Sequence, residues 1–119
     1  MNADALLQSA HDSLATGDPQ SAARHFRAVI ALDSAHVEAH HGLVRSLRDC
    51  GQLEQAIAAA LALTVLTPHD PLAHTALAIS LQHAGHIPEA EAASARARIL
   101  EWKSMLAEGS EDGNSVELQ

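Results

Sequence analysis

Gly17, Gly51 and Gly85 stand 34 residues apart, and the chain around them repeats at the same interval. Ala22, Ala56 and Ala90 each follow a glycine by five residues. Leu32, Leu66 and Leu100 keep the register, as do Ala5, Ala39 and Ala73. Leu43 matches Leu77, Leu47 matches Leu81, Leu53 matches Ile87, and Ala10 matches Val44 and Ala78. So many independent columns at one period are hard to obtain by chance. Self-similarity at such a period marks an array of supersecondary units, none of which can bury its apolar face alone, so neighbours must stack.

Each period reads as two helices joined by a tight turn. They are expected at about Ala3–Ala15 and Pro19–Leu32, Val37–Asp49 and Leu53–Leu66, Pro71–His83 and Ile87–Leu106. Asp18-Pro19 and Asp70-Pro71 each supply an N-cap followed by a proline at the first helical position, where the missing N–H costs nothing. The three glycines sit where the chain must leave a helix, and a positive φ is expected at each. The alanine columns let helix axes approach at the close end of the usual range.

The stretch from Ala56 to Leu66 carries a single polar residue, Thr64. A spanning helix needs about 20 consecutive apolar residues, and this run ends at once in Pro68, His69 and Asp70. It is therefore the second helix of the middle unit, and its all-round apolar character predicts enclosure between neighbours. The N-terminus has no basic segment ahead of an apolar one, so no signal peptide is read there. The single cysteine, Cys50, excludes an internal disulfide framework. A soluble, cytoplasmic protein is expected.

The formal net charge is −8 over 119 residues, with one Trp, one Phe and no Tyr. Nucleic acid would need a basic footprint and stacking side chains, so neither it nor an anionic membrane surface is an expected partner. One domain is expected over 1–106, with units at about 3–36, 37–70 and 71–104, and an acidic flexible tail over 107–119.

These columns resemble the tetratricopeptide-repeat family across residues 3 to about 102. The middle unit, VEAHHGLVRSLRDCGQLEQAIAAALALTVLTPHD, keeps the family's Leu, Gly, Ala, Leu and Pro pattern. It departs from the pattern elsewhere. His40 and His74 stand where the family has a large aromatic, Leu47 and Leu81 replace a tyrosine, and Ala60 and Ser94 replace an aromatic that only Phe26 retains. Ser34 and Trp102 replace closing prolines. The resemblance implies an all-α fold: a right-handed α-solenoid of three helix–turn–helix units with an extended last helix. It further implies a concave groove, lined by the first helix of each unit, that binds an extended peptide or partner helix. Mapped residue by residue, that groove presents Leu7, His11 and Leu14, then His41, Arg45 and Arg48, then Thr75, Ile79, Gln82 and His83. The family's clamp for a chaperone C-terminal carboxylate maps to Leu7, His11, Gly42, Leu72 and Ala76, and its Lys/Asn/Arg set is absent.

Arg45 and Arg48 lie three apart, on one helix face, in a chain with only seven Lys and Arg. A guanidinium fork suits a partner carboxylate, which points to an acidic segment in the partner. Arg45 is equally placed to pair with Asp49 one turn on. Of nine histidines, His36 and His40 lie four apart with His41 adjacent, His83 and His86 flank the third glycine, and His69 and His74 flank a helix start. Their spacing is a minor argument for metal binding, but no Cys or HExxH pattern joins them, and no metal or cofactor is expected. The equivalent columns of His40 and His74 point to a shared packing role. With no Gly-rich phosphate loop, nucleophile elbow or paired carboxylates, no enzyme is expected, and Cys50 reads as a passive residue beside the turn.

Ile99, Trp102, Met105 and Leu106 continue an apolar stripe at helical spacing past the end of the third unit. Repeat arrays need a polar terminal face, so the stripe either folds over its own third unit or serves as an association face. Two functions follow: an adaptor or small co-chaperone holding a protein segment in the groove, or a scaffold element that self-associates through its last helix.

Overall fold

The computed structural model describes residues 2–111 and contains six helices: α1 (Ala3–Ala15), α2 (Pro19–Leu32), α3 (Val37–Asp49), α4 (Leu53–Leu66), α5 (Pro71–His83) and α6 (Ile87–Glu111). The starts of all six and the ends of the first five fall where the sequence places them. Each helix packs against its chain neighbours, as the right-handed solenoid of three helix pairs requires.

The local chemistry explains the boundaries. Asn2, Asp18, His36 and Asp70 cap their helices through side-chain acceptors; the closest is Ala5 N to Asn2 Oδ1 at 2.8 Å. Between the two helices of each unit the chain closes in the same motif. Gly17, Gly51 and Gly85 take φ of 82°, 78° and 86°, and the amide after each donates to a carbonyl five residues back, at 2.8–2.9 Å. That six-to-one bond satisfies carbonyls the helix end leaves free, and the positive φ it needs favours glycine.

Between units a second device repeats. His40 Nε2 donates to the Ser34 carbonyl at 2.9 Å, and His74 Nε2 to the Pro68 carbonyl at 2.9 Å. The shared column thus has the structural role expected of it, tying each inter-unit turn to the helix that follows. Ser46 and Ser80, also 34 apart, are fully buried. Each satisfies its hydroxyl on the carbonyl four residues back, at 2.8 and 2.9 Å.

The core is uneven. Its first cluster holds Phe26, Val29, Leu43 and Leu47, with Ala10, Ala22, Ala39 and Ala56 admitting close approach. A Cβ on Gly42 would lie 2.3 Å from the Phe26 ring, so the glycine makes room for the only phenylalanine. The second cluster is thinner: Val44, Leu63 and three alanines.

Two expectations need correcting. α4 is not enclosed all round: Leu61 is 49% and Val65 81% exposed. Among the described residues the backbone of α4 packs closely on α3 and α5 but not on α2 or α6, so much of its outer side stays open. The apolar content of a helix reports what it could bury, not which elements reach it. The last helix also runs through Glu111, past the expected end at Leu106. Residues 107–111 are therefore helical, and the rest of the expected tail, 112–119, lies outside the described residues. No helix described is long and apolar enough to cross a membrane.

Candidate functional site

The backbones of the first helices α1, α3 and α5 approach one another in sequence, while among the described residues those of the second helices α2, α4 and α6 stay apart. Helices that converge on one side and diverge on the other give a curved array, with α1, α3 and α5 on its inner face.

Across the middle of that face lies a cavity of about 320 Å³ lined by His41, Arg45, Arg48, Leu72, Thr75, Ala76 and Ile79. α3 contributes the polar wall, whose cations are its two arginines. His41, Arg45 and Arg48 fall on successive turns of it because residues three and four apart share a helix face. α5 contributes the apolar side. The hydroxyl of Thr75 is turned back onto the Pro71 carbonyl at 3.0 Å, which leaves its methyl among Leu72, Ala76 and Ile79.

The two arginines are not equivalent. Arg45 Nε lies 3.6 Å from Asp49 Oδ2, a surface pair one turn apart. Arg48 makes no ion pair among the described residues and is half-buried. Burial holds its guanidinium below the ordinary arginine range, with neighbouring Arg45 adding to the effect and Asp49 opposing it. His41, also half-buried, is held below the ordinary histidine range by burial, while Asp70 pulls the other way. The cavity is thus a cationic site with little internal compensation beside an apolar wall.

The remaining residues of the expected groove are dispersed. Leu7 and Leu14 pack partly against the first core cluster. His11 Nε2 lies 2.8 Å from Glu38 Oε2, and its ring stands edge-on to Phe26 with centroids 5.4 Å apart, joining α1 to α3. His83 turns its Nδ1 onto the Ile79 carbonyl at 2.9 Å. Gln82 lines a different concavity, at the open end of the array with Ile87, Ala90, Glu91, Ser94 and Arg98. Leu72 and Ala76 join the site instead. Only their alignment with the family's clamp positions hinted at this.

No group of three or more His, Cys, Asp and Glu that could hold a metal occurs among the described residues. His36 Nδ1 accepts from the Ala39 amide, and His40 and His74 are tied to carbonyls. Ile99, Trp102, Met105 and Leu106 are 45–66% exposed, so the stripe does not fold over its own third unit.

Comparison with known proteins agrees with this architecture. The family model described as Tetratricopeptide repeat matches residues 13–79, more than half the chain. No curated protein matches in sequence. Among solved structures, MamA is similar at TM-score 0.81 and 20% identity over 87% of this chain, which spans only 61% of MamA. The type III secretion translocator chaperone SycD of Yersinia enterocolitica is similar at TM-score 0.77 and 23% identity, over 98% of this chain and 92% of that one. SycD also has a structure in complex with a peptide of the translocator YopD. YrrB, described as a TPR protein with an unusual peptide-binding site, gives TM-score 0.80 and 18% identity, over 94% of this chain and 58% of YrrB. With its repeat columns, its six stacked helices and the match over residues 13–79, the chain belongs to the tetratricopeptide repeat family.

Proposed function

We propose that the protein is a non-enzymatic cytoplasmic adaptor or small co-chaperone that holds an extended segment of a protein partner across α3 and α5, with an acidic side chain of that segment on Arg48. The observation that carries this reading is a half-buried guanidinium without an acidic partner among the described residues, set against the apolar side chains of Leu72, Ala76 and Ile79. A partner that brings a carboxylate and an aliphatic side chain together satisfies both halves of the cavity. Charge-assisted hydrogen bonds to a guanidinium are roughly twice as strong as neutral ones. The fold likeness to SycD, which binds a YopD peptide, and to YrrB, which has a peptide-binding site, supports a segment-binding role.

Affinity capture from native lysate, quantified by mass spectrometry, tests it with Arg45→Ala and Arg48→Ala side by side. A bound protein should be lost with Arg48→Ala and largely kept with Arg45→Ala, whose guanidinium is already engaged by Asp49. Equal recovery from both variants and the wild type would remove function from this groove.

A second reading, assembly through the last helix, is favoured by one observation: the exposed stripe Ile99, Trp102, Met105 and Leu106 on a helix that outruns its packing partner.

A further inference from the structure

The outer side of the solenoid has one groove at each junction, and the two are built differently. Between α2 and α4 the groove is bridged: Arg27 of α2 donates a hydrogen bond to Oε1 of Gln55 of α4 at 2.9 Å. Beneath that bridge Leu43 and Leu47 are 8% and 1% exposed. One period later the same positions hold Leu61 and Glu89, which form no such bridge. The groove between α4 and α6 stays open, at about 490 Å³, with Ile57 and Leu61 on one wall and Ala92, Ala93 and Glu89 on the other. Its floor is Leu77 and Leu81, the counterparts of the buried Leu43 and Leu47, and both are only half-buried.

The same chain carries a second unpartnered apolar surface. α6 has 25 residues against 13 in α5, the helix it packs on. Its last buried residue is Leu100, and every residue from Glu101 to Glu108 is exposed. This overhang bears Trp102, Met105 and Leu106, with Lys103, the chain's only lysine, next in sequence to the tryptophan.

We propose that the open groove between α4 and α6 receives the α6 overhang of a second copy of this chain. The proposal rests on the second reading above and names the receptor for its stripe. A local charge match supports it: the apolar groove has one acidic residue in its lining, Glu89, and on the overhang Lys103 stands next to the apolar stripe, with Glu101 and Glu108 as the overhang's own acidic residues. Neither Glu89 nor Lys103 makes an ion pair among the described residues. Reach excludes the alternative of self-closure. α6 itself forms one wall of the groove at Ala93 and continues as an unbroken helix, so its own Trp102 lies about 14 Å further along the same axis and cannot turn back. Each copy thus presents one overhang and one groove at different places. Such a contact closes reciprocally in a two-fold dimer or continues from copy to copy as a chain or ring.

The test moves the first junction's bridge onto the second. Leu61→Arg/Glu89→Gln reproduces the Arg27–Gln55 pair at positions that are already exposed, and circular dichroism checks its helix content. Light scattering over a concentration series should show wild type associating, to a dimer or beyond. The bridged variant and Trp102→Glu should each be monomeric, with association weakened by about 30-fold or more, as loss of a hot-spot residue implies. Mixed together, the two variants should form a 1:1 dimer, because one keeps the overhang and the other the groove. The single tryptophan gives an independent readout, its emission shifting to the blue in the mixture. A monomeric wild type overturns both the second reading and this proposal. A wild type that associates, with a bridged variant that associates equally well, overturns the groove while leaving assembly through the overhang standing.

Discussion

The first and second junctions of this solenoid use the same backbone and fill it differently. At the first, Phe26 is fully buried in the space Gly42 leaves for it, and the outer groove is bridged by Arg27 and Gln55. At the second, Ala60 takes the place of Phe26, the core falls to Val44, Leu63 and alanines, and the outer groove stays open. The inner face differs in the same direction, since the cationic cavity lies between α3 and α5 rather than between α1 and α3. Columns that persist across all units build the array, and columns that change from unit to unit build its surfaces. One junction has been spent on stability and the other left with unsatisfied groups.

The contrast can be broken most sharply at Phe26. Phe26→Ala should destabilise the protein by about 3–5 kcal/mol, the range for deleting a buried phenylalanine, read from urea unfolding. A loss below about 1 kcal/mol would mean that the ring does not hold the first junction. Gly51→Ala and Gly85→Ala sharpen it from the other side. An added Cβ meets nothing within 4 Å at either site, so each should cost only the left-handed backbone penalty of about 1–2 kcal/mol. The two costs should be equal, because this column does not vary between units. A difference well above experimental error would show that the units are not equivalent in backbone. The smallest effect is at His41. Its folded pKa lies below the ordinary value because burial penalises the charged ring. Between the folded and unfolded pKa values the unfolded chain therefore binds more protons. His41's share of stability is complete above the ordinary histidine range, near pH 6.5, and is lost as pH falls through that range toward the folded pKa. His41→Asn should flatten the fall of the urea midpoint with decreasing pH. Identical slopes in both proteins would exclude this.

The fold was legible in the sequence because its signals are local and redundant. Caps at Asp18 and Asp70, positive-φ glycines and the 34-residue columns fix the helix boundaries without any knowledge of packing. The end of α6 was not, since Gly109 and the acidic residues after it read as a stop while the helix continues through the glycine. Most of the candidate site was legible too: five of its seven lining residues, His41, Arg45, Arg48, Thr75 and Ile79, follow from helical phase on two aligned helices. Gln82, one turn after Ile79, lines a different concavity with residues of α6. The inequality of Arg45 and Arg48 depends on where Asp49 turns its carboxylate, which no spacing reveals. The Arg27–Gln55 bridge was invisible for a similar reason. Polar residues 28 apart look like two solvated side chains until the array brings them together.

His40 and His74 carry a consequence for the shape of the whole superhelix. Each acts as a strut between an inter-unit turn and the helix after it, so pitch and curvature are set twice by one device. Since the acceptor is a carbonyl in both cases, the Nε2 proton is the one in use. An aromatic spacer would hold the same angle by bulk alone. The imidazole strut holds it by direction, so the curvature that a partner meets is fixed by two hydrogen bonds of the same geometry.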